Sequence, residues 1–222
     1  MQRGVKNSAL FNLGKALSGA GEPGESLAAF HRAAALLHEA GNPVYECQAR
    51  FESGAILFRM GQFDEAARDM KLAADISHAT GNEANEGLAL KNLGMARLRT
   101  RRFDKAAEAS QQALAIFNGI GDIQSAREAL ATLTEALMGN GRYQDAIPLI
   151  RESVKVCQAA DDPEGEGMAL WFLGAILVDV GEYGEGIAVN RRAAELLRAT
   201  GHAQEANIAL QHMRKAQERG RP

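Results

Sequence analysis

The chain repeats itself every 40 residues, five times over, without one inserted or deleted residue. Copies beginning at Leu10, Arg50, Leu90, Leu130 and Leu170 bring LFNLGKALSGAGEPGES, RFESGAILFRMGQFDEA, LKNLGMARLRTRRFDKA, LATLTEALMGNGRYQDA and LWFLGAILVDVGEYGEG into step. A sixth, truncated copy starts at Leu210. Fixed self-similarity at this length marks stacked supersecondary units, because one unit cannot bury its apolar face alone. The unbroken period leaves no residues for a second fold. The expectation is one repeat domain over residues 1–222, with copies at about 7–41, 42–81, 82–121, 122–161 and 162–201 and a closing helix at 203–219.

Within a copy, two stretches carry helical spacing. Leu170, Leu173, Ile176 and Leu177 mark one buried helix face, and Phe63, Ala66, Ala67, Met70, Ala73, Ala74 and Ile76 another. A short turn with Gly61, Gly141 or Gly181 and then an aromatic residue separates the two stretches. No alternation of strand type appears, so each unit reads as a helical hairpin. Gly41, Gly81, Gly121 and Gly201 suit the left-handed position that ends a helix. Asn42, Asn82, Asp122 and Asp162 suit the N-cap that follows, with Pro43 and Pro163 at the first helical position. The acidic run Asp161, Asp162, Glu164, Glu166 therefore reads as a helix start; it lacks calcium-loop spacing.

Gly14, Gly54, Gly94 and Gly174 share one phase in the middle of the first helix. Glycine there costs about 1 kcal/mol relative to alanine, so close approach of the second helix is its expected reason. Ala66, Ala106 and Ala146 recur on that second helix, with Gly186 a departure in its series and Thr134 a departure in the glycine series.

Composition narrows the setting. A net charge of −3 offers no global attraction to nucleic acid or anionic membrane. No apolar run approaches the roughly 18 residues that span a bilayer, and the first residues lack a secretory apolar core. Cys47 and Cys157 fall at unrelated phases, so a disulfide is not expected and the cytoplasm is the default compartment. Arginine outnumbers lysine 18 to 7, a bias that suits a GC-rich bacterial genome and carries no function.

The arrangement resembles the tetratricopeptide repeat. The family pattern is met by Leu90, Leu93, Gly94, Phe103, Ala106 and Ala113, and again by Leu170, Leu173, Gly174, Leu177, Gly181, Tyr183 and Ala193. The resemblance covers roughly residues 7 to 219, with a period longer than the family's usual 34 or so. It is similar to the long-helix variety of kinesin light chains, cell-polarity adaptors, and sensor regions of bacterial transcription regulators and signalling ATPases. It implies an all-α, right-handed superhelix of five hairpins whose first helices line the inner wall.

On those first helices, the face opposite the core carries Phe11, Phe51, Lys91, Ala131 and Trp171 in one row. Lys15, Ala55, Met95, Glu135 and Ala175 form the next, and Ser18, Phe58, Leu98, Met138 and Val178 the third. Such rows are too apolar for an ordinary solvated face. They read as an interaction groove, or else as extra core against the neighbouring hairpin. The resemblance adds Asn12 and Asn92, whose counterparts in long-helix relatives bond a bound peptide's backbone; Glu52, Thr132 and Phe172 break that series.

Copy three departs most. Arg97, Arg99, Arg101, Arg102 and Lys105 crowd its turn, Arg97 near a leucine phase, Arg101 at a glycine phase, and Arg59 at the phase of Arg99 one copy earlier. The cluster reads as a basic spot for an acidic partner, or as cations solvated at a helix C-terminus. His38 and His78 share a phase that is polar in every copy, and His31 adds no third ligand, so no metal site is expected. No nucleophile–base pair or phosphate loop stands out, and neither catalysis nor a cofactor is expected.

The leading expectation is a scaffold that binds a protein or peptide on its concave face, without direct nucleic-acid or membrane contact. The candidate groove residues are Phe11, Asn12, Lys15, Phe51, Phe58, Arg59, Lys91, Asn92, Met95, Arg99, Met138 and Trp171. A regulatory sensor module from a larger transcription regulator or ATPase is the second reading. A self-associating spacer is the third.

Overall fold

A computed structural model describes residues 2–220, with side chains from residue 9 onward. The chain runs through α1 (Gln2–Gly19), α2 (Pro23–Glu39), α3 (Pro43–Arg59), α4 (Phe63–Ala79), α5 (Glu83–Arg99), α6 (Phe103–Ile120), α7 (Ile123–Gly139), α8 (Tyr143–Ala159), α9 (Pro163–Asp179), α10 (Tyr183–Ala199) and α11 (Ala203–Arg219). No strand occurs among the described residues, and the fold is an all-α repeat solenoid. Helix length sets the period. A 17-residue helix and a three-residue link, taken twice, make one 40-residue unit.

The links are built alike. At the end of α3 the Gly61 N–H donates to the Phe58 carbonyl at 3.0 Å and the Gln62 N–H to Leu57 at 2.9 Å. This bond pair closes a helix through a left-handed residue, and Gly61 has φ 77°. Arg101 takes the same place at φ 57° and Asp161 its counterpart at φ 51°, both without glycine's freedom. The expected caps form: Asn82 Oδ1 accepts from the Asn85 N–H at 3.1 Å, and Asp162 Oδ1 from Gly165 at 2.9 Å. The acidic run at 161–166 is thus a helix start.

The chain divides into two compact units, residues 1–136 and 137–222. In the first, α1 to α6 pack in chain order and α3 also meets α5. In the second, α8 packs on α9, α9 on α10, α10 on α11, and α11 also on α9.

The shared-phase glycines sit where the two helices of a hairpin come closest. A Cβ at Gly14 would meet the Phe30 ring at 3.0 Å, and one at Gly54 would meet Met70 at 2.9 Å. Gly94 faces Ser110, and Gly174 faces Asn190. The alanine row contributes beside them: Ser26, in that row, donates to the Gly14 carbonyl at 2.6 Å. Where alanine becomes Gly186, the space is taken by Val178, which is 1% exposed and would stand 3.2 Å from an added Cβ. Phe30, Ile56, Met70, Leu93 and Phe117 are fully buried between the helices of the first unit. Each such side chain stabilises the fold by about 1.5–3 kcal/mol.

Candidate functional site

In the first unit, α1, α3 and α5 together line a cleft of about 290 Å³. Phe11 and Lys15 come from α1, Cys47, Gln48, Phe51 and Glu52 from α3, and Asn85 and Leu88 from α5. The repeat makes this possible, since Phe11 and Phe51 are one period apart and so share a phase. A second recess of about 210 Å³ lies between Gly54, Ala55, Phe58, Arg59, Ala66, Met70 and Asn92.

The aromatic rings serve core and surface together. Phe11 meets Phe30 edge-on at 5.5 Å and Tyr45 at 6.4 Å. Phe51 packs against the buried cluster that contains Met70 and Leu93. Phe58 lies against Leu57 and Ala66 and meets Phe63 at 5.1 Å. All three remain partly exposed, as does Met95.

The polar candidates differ in what is left for a partner. Lys15 is exposed, with Nζ 5.9 Å from the Phe11 ring centroid. Asn12 is also exposed. Lys91 is held by Glu128 at 2.6 Å with 12% of its side chain exposed, and that bond draws the Glu128 carboxyl below its usual pKa. Asn92 turns its amide N–H back on its own helix, to the Leu88 carbonyl at 3.0 Å. Arg59 reaches Ser18 Oγ at 3.4 Å, and the Arg99 guanidinium lies 4.9 Å over Phe63.

The basic stretch of copy three disperses. Arg97 is partly buried and donates to the Lys105 carbonyl at 3.1 Å. Arg102 pairs with Asp64 at 3.0 Å, and Arg101 lies 5.7 Å over Phe103.

Met138 and Trp171 belong to the second unit, and both are half-buried. Trp171 lies 5.0 Å from the Phe172 ring, and its Nε1 is buried without a hydrogen-bond partner.

A buried polar network escaped the sequence reading. Asp69 on α4 accepts from Ser53 of α3 at 2.6 Å, bonds His31 Nε2 of α2 at 2.9 Å, and stands 3.4 Å from Arg50. Burial pushes the Asp69 carboxyl up, but the His31 and Ser53 bonds and the nearby cations outweigh it and hold its pKa low. The trio is no hydrolytic centre: the Ser53 hydroxyl is fully buried and gives its proton bond to the carboxylate instead of the imidazole. Glu46 accepts from His38 at 3.0 Å, and His78–Glu86 and Gln158–Glu166 repeat that contact at 3.0 Å each. A carboxylate eight residues beyond each polar side chain was the available signal. Burial raises the Cys47 thiol pKa, and Ser77 bonds its sulfur at 3.0 Å. Among the described residues no group of three or more His, Cys, Asp or Glu is placed to hold a metal ion.

Residues 45–119 match the family model of the tetratricopeptide repeat. Those residues are tetratricopeptide repeats (TPR). No curated protein matches it. Among solved structures, it is similar to a Podospora anserina kinesin light chain with nearly identical TPR-like repeats, at 18% identity and TM-score 0.63 over 97% of both chains. It is also similar to MamA from Desulfovibrio magneticus, at 18% identity and TM-score 0.69 over 88% of this chain and 97% of that one. A third similar structure is a signal-transduction ATPase with a TPR sensor from Pyrococcus horikoshii, at 19% identity and TM-score 0.66 over 84% of this chain and 30% of that one. At these identities the likeness establishes the fold. TPR folds of this kind are protein-interaction scaffolds, and no described helix is long and apolar enough to cross a membrane.

Proposed function

We propose that this TPR protein captures a segment of another protein on the face that α1, α3 and α5 form in its first unit. One observation carries the reading: three consecutive first helices converge on a cleft of about 290 Å³ whose partly exposed rings, Phe11 and Phe51, lie beside Lys15 and Glu52. A cleft of that kind supplies an apolar anchor with polar groups at its edge, which is how peptide grooves combine affinity with register. Lys91 and Asn92 do not line this cleft: Lys91 pairs with Glu128, and the Asn92 amide N–H bonds the Leu88 carbonyl. Selection of a random 12-residue peptide library on the purified chain tests it. Enriched peptides should lose binding to Phe11→Ser and Phe51→Ser variants whose circular dichroism still shows the full helical signal. Enriched peptides indifferent to both substitutions would place binding elsewhere.

A sensor role is the second reading, favoured by the likeness to an ATPase whose TPR region is described as a sensor. In that case the captured segment is a signal, and the same cleft receives it.

A further inference from the structure

We infer that the recess between the second helices α4 and α6 binds a small amphipathic carboxylate, with its acid group on Arg97 and its hydrocarbon chain along Leu90 and Leu93 of α5. The site is separate from the capture cleft, with which it shares no lining residue.

A trough of about 660 Å³ lies there, within the size range of small-molecule sites. Its floor is one face of α5, where Glu86, Leu90, Leu93 and Arg97 follow at helical spacing. From first to last that face runs about 16 Å along the helix axis. Ala74 of α4 and Ala109 and Ile116 of α6 flank it, so the walls near the floor are apolar. One copy earlier the corresponding space is spanned by polar bonds. There the counterparts of Lys71, Leu90, Leu93 and Ala109 are His31, Arg50, Ser53 and Asp69. Asp69 is bonded by His31 at 2.9 Å and by Ser53 at 2.6 Å, with Arg50 3.4 Å away. Two leucines and an alanine stand in place of Arg50, Ser53 and Asp69 in copy three, which removes the plug and leaves an apolar floor.

Arg97 sets the acid end. Leu57, Leu137 and Leu177 hold its phase in other copies, and all three are buried hydrocarbon. The Arg97 side chain is half-buried and gives one N–H to the Lys105 carbonyl at 3.1 Å. Glu108 is near enough to favour its charge but does not bond it. A guanidinium has five N–H donors, so a fork is left for a carboxylate, with the exposed Lys105 beside it. Elsewhere the lining is already balanced: Lys71 pairs with Asp75, and His78 bonds Glu86 at 3.0 Å. One anionic group is therefore matched, and the lining carboxylates oppose a polyanion. Width decides the rest of the ligand. Leu90 and Leu93 are 6% and 1% exposed, between crests that carry the exposed Lys71 and Asp75 on α4 and Glu108 and Gln112 on α6. A methylene chain fits between such crests, whereas a docking helix would lay its apolar face on charged side chains.

Isothermal titration calorimetry of decanoate, below its micellar concentration, on the whole chain tests the site. One saturable site per chain is expected, with decan-1-ol bound about tenfold or more weakly because it lacks the charge. Arg97→Leu installs the residue that other copies use at this phase, so circular dichroism should show the full helical signal. That variant should bind decanoate about tenfold more weakly and decan-1-ol as well as the parent does. Phe11→Ser and Phe51→Ser should leave decanoate affinity unchanged, which separates this site from the capture cleft. Absence of saturable binding, equal affinity for acid and alcohol on the parent chain, or indifference to Arg97→Leu would overturn this inference and leave the capture reading standing. Loss of decanoate binding in the phenylalanine variants would put the hydrocarbon in the cleft and overturn it as well.

Discussion

Asn190 of α10 is fully buried, and its amide lies 2.5 Å from the point where a side chain at Gly174 of α9 would begin. The glycine is therefore required by the asparagine, and the pair should behave as one unit. Gly174→Ala improves helix propensity by about 1 kcal/mol, yet it drives a methyl group into an amide that cannot leave. Net destabilisation of about 1–3 kcal/mol is expected from overpacking. In an Asn190→Ala background the same substitution should be neutral or stabilising. A double-mutant cycle by urea unfolding measures the coupling, and additive effects would separate the two residues. Gly94→Leu, facing Ser110 and the Ala106 carbonyl, should destabilise by a few kcal/mol without such a rescue.

Backbone strain gives a second expectation. Arg101 stands at φ 57° where four other copies have glycine, and its guanidinium lies over Phe103 at 5.7 Å. A non-glycine residue in that region costs about 1–2 kcal/mol, partly offset by the ring contact and by glycine's greater freedom in the unfolded chain. Arg101→Gly should therefore stabilise by about 0.5 kcal/mol, and Gly61→Ala, at φ 77°, should destabilise by about 1 kcal/mol. Thermal unfolding of both variants reads the two signs.

These pairs show where the sequence was legible. Hairpins, most link glycines and the N-caps of α3, α5, α7 and α9 were readable because most copies state them in the same or similar residue types at the same phase. The close approach at Gly14, Gly54, Gly94 and Gly174 was readable too, as an otherwise costly glycine repeated. Its partners were not: Phe30, Met70, Ser110 and Asn190 share a position and no chemistry. The candidate site was legible only as an apolar face. That Lys91 would be engaged by Glu128, or that Asn92 would bond its own helix, depends on contacts one period does not repeat. Val178 is buried against Gly186, whereas Phe58, at the same phase, packs against Ala66 and stays partly exposed.

The recurrent contact from the end of a second helix to the next first helix predicts a near-silent change. Gln158 donates to Glu166 at 3.0 Å in the place where His38 meets Glu46 and His78 meets Glu86. The two histidine side chains are 75% and 79% exposed, so water screens the charge they add when protonated. His38→Gln and His78→Gln should each shift stability by less than about 0.5 kcal/mol. A larger loss in chemical denaturation would mean that the imidazole supplies something an amide cannot.

Asp69 should set part of the acid stability of the first unit. Asp69 is 6% exposed and its carboxylate binds Ser53 of its own hairpin and His31 of the preceding one, so removing its charge weakens contacts among three helices. Its pKa in the folded chain is held below the ordinary value, which for an unfolded aspartate is about 3.9. The sign follows from linkage. A depressed folded-state pKa contributes stability that is complete above the unfolded pKa and disappears as pH falls through the folded one. Asp69→Asn should destabilise by about 1–3 kcal/mol near neutral pH, because a charged acceptor becomes an amide that can mismatch its donors. The gap to the parent should narrow steadily below about pH 4 and close once the parent's carboxyl is protonated. Urea unfolding of both proteins at pH 7, 4 and 2.5 measures this. A gap that stays constant over the series would show that Asp69 acts there through shape alone.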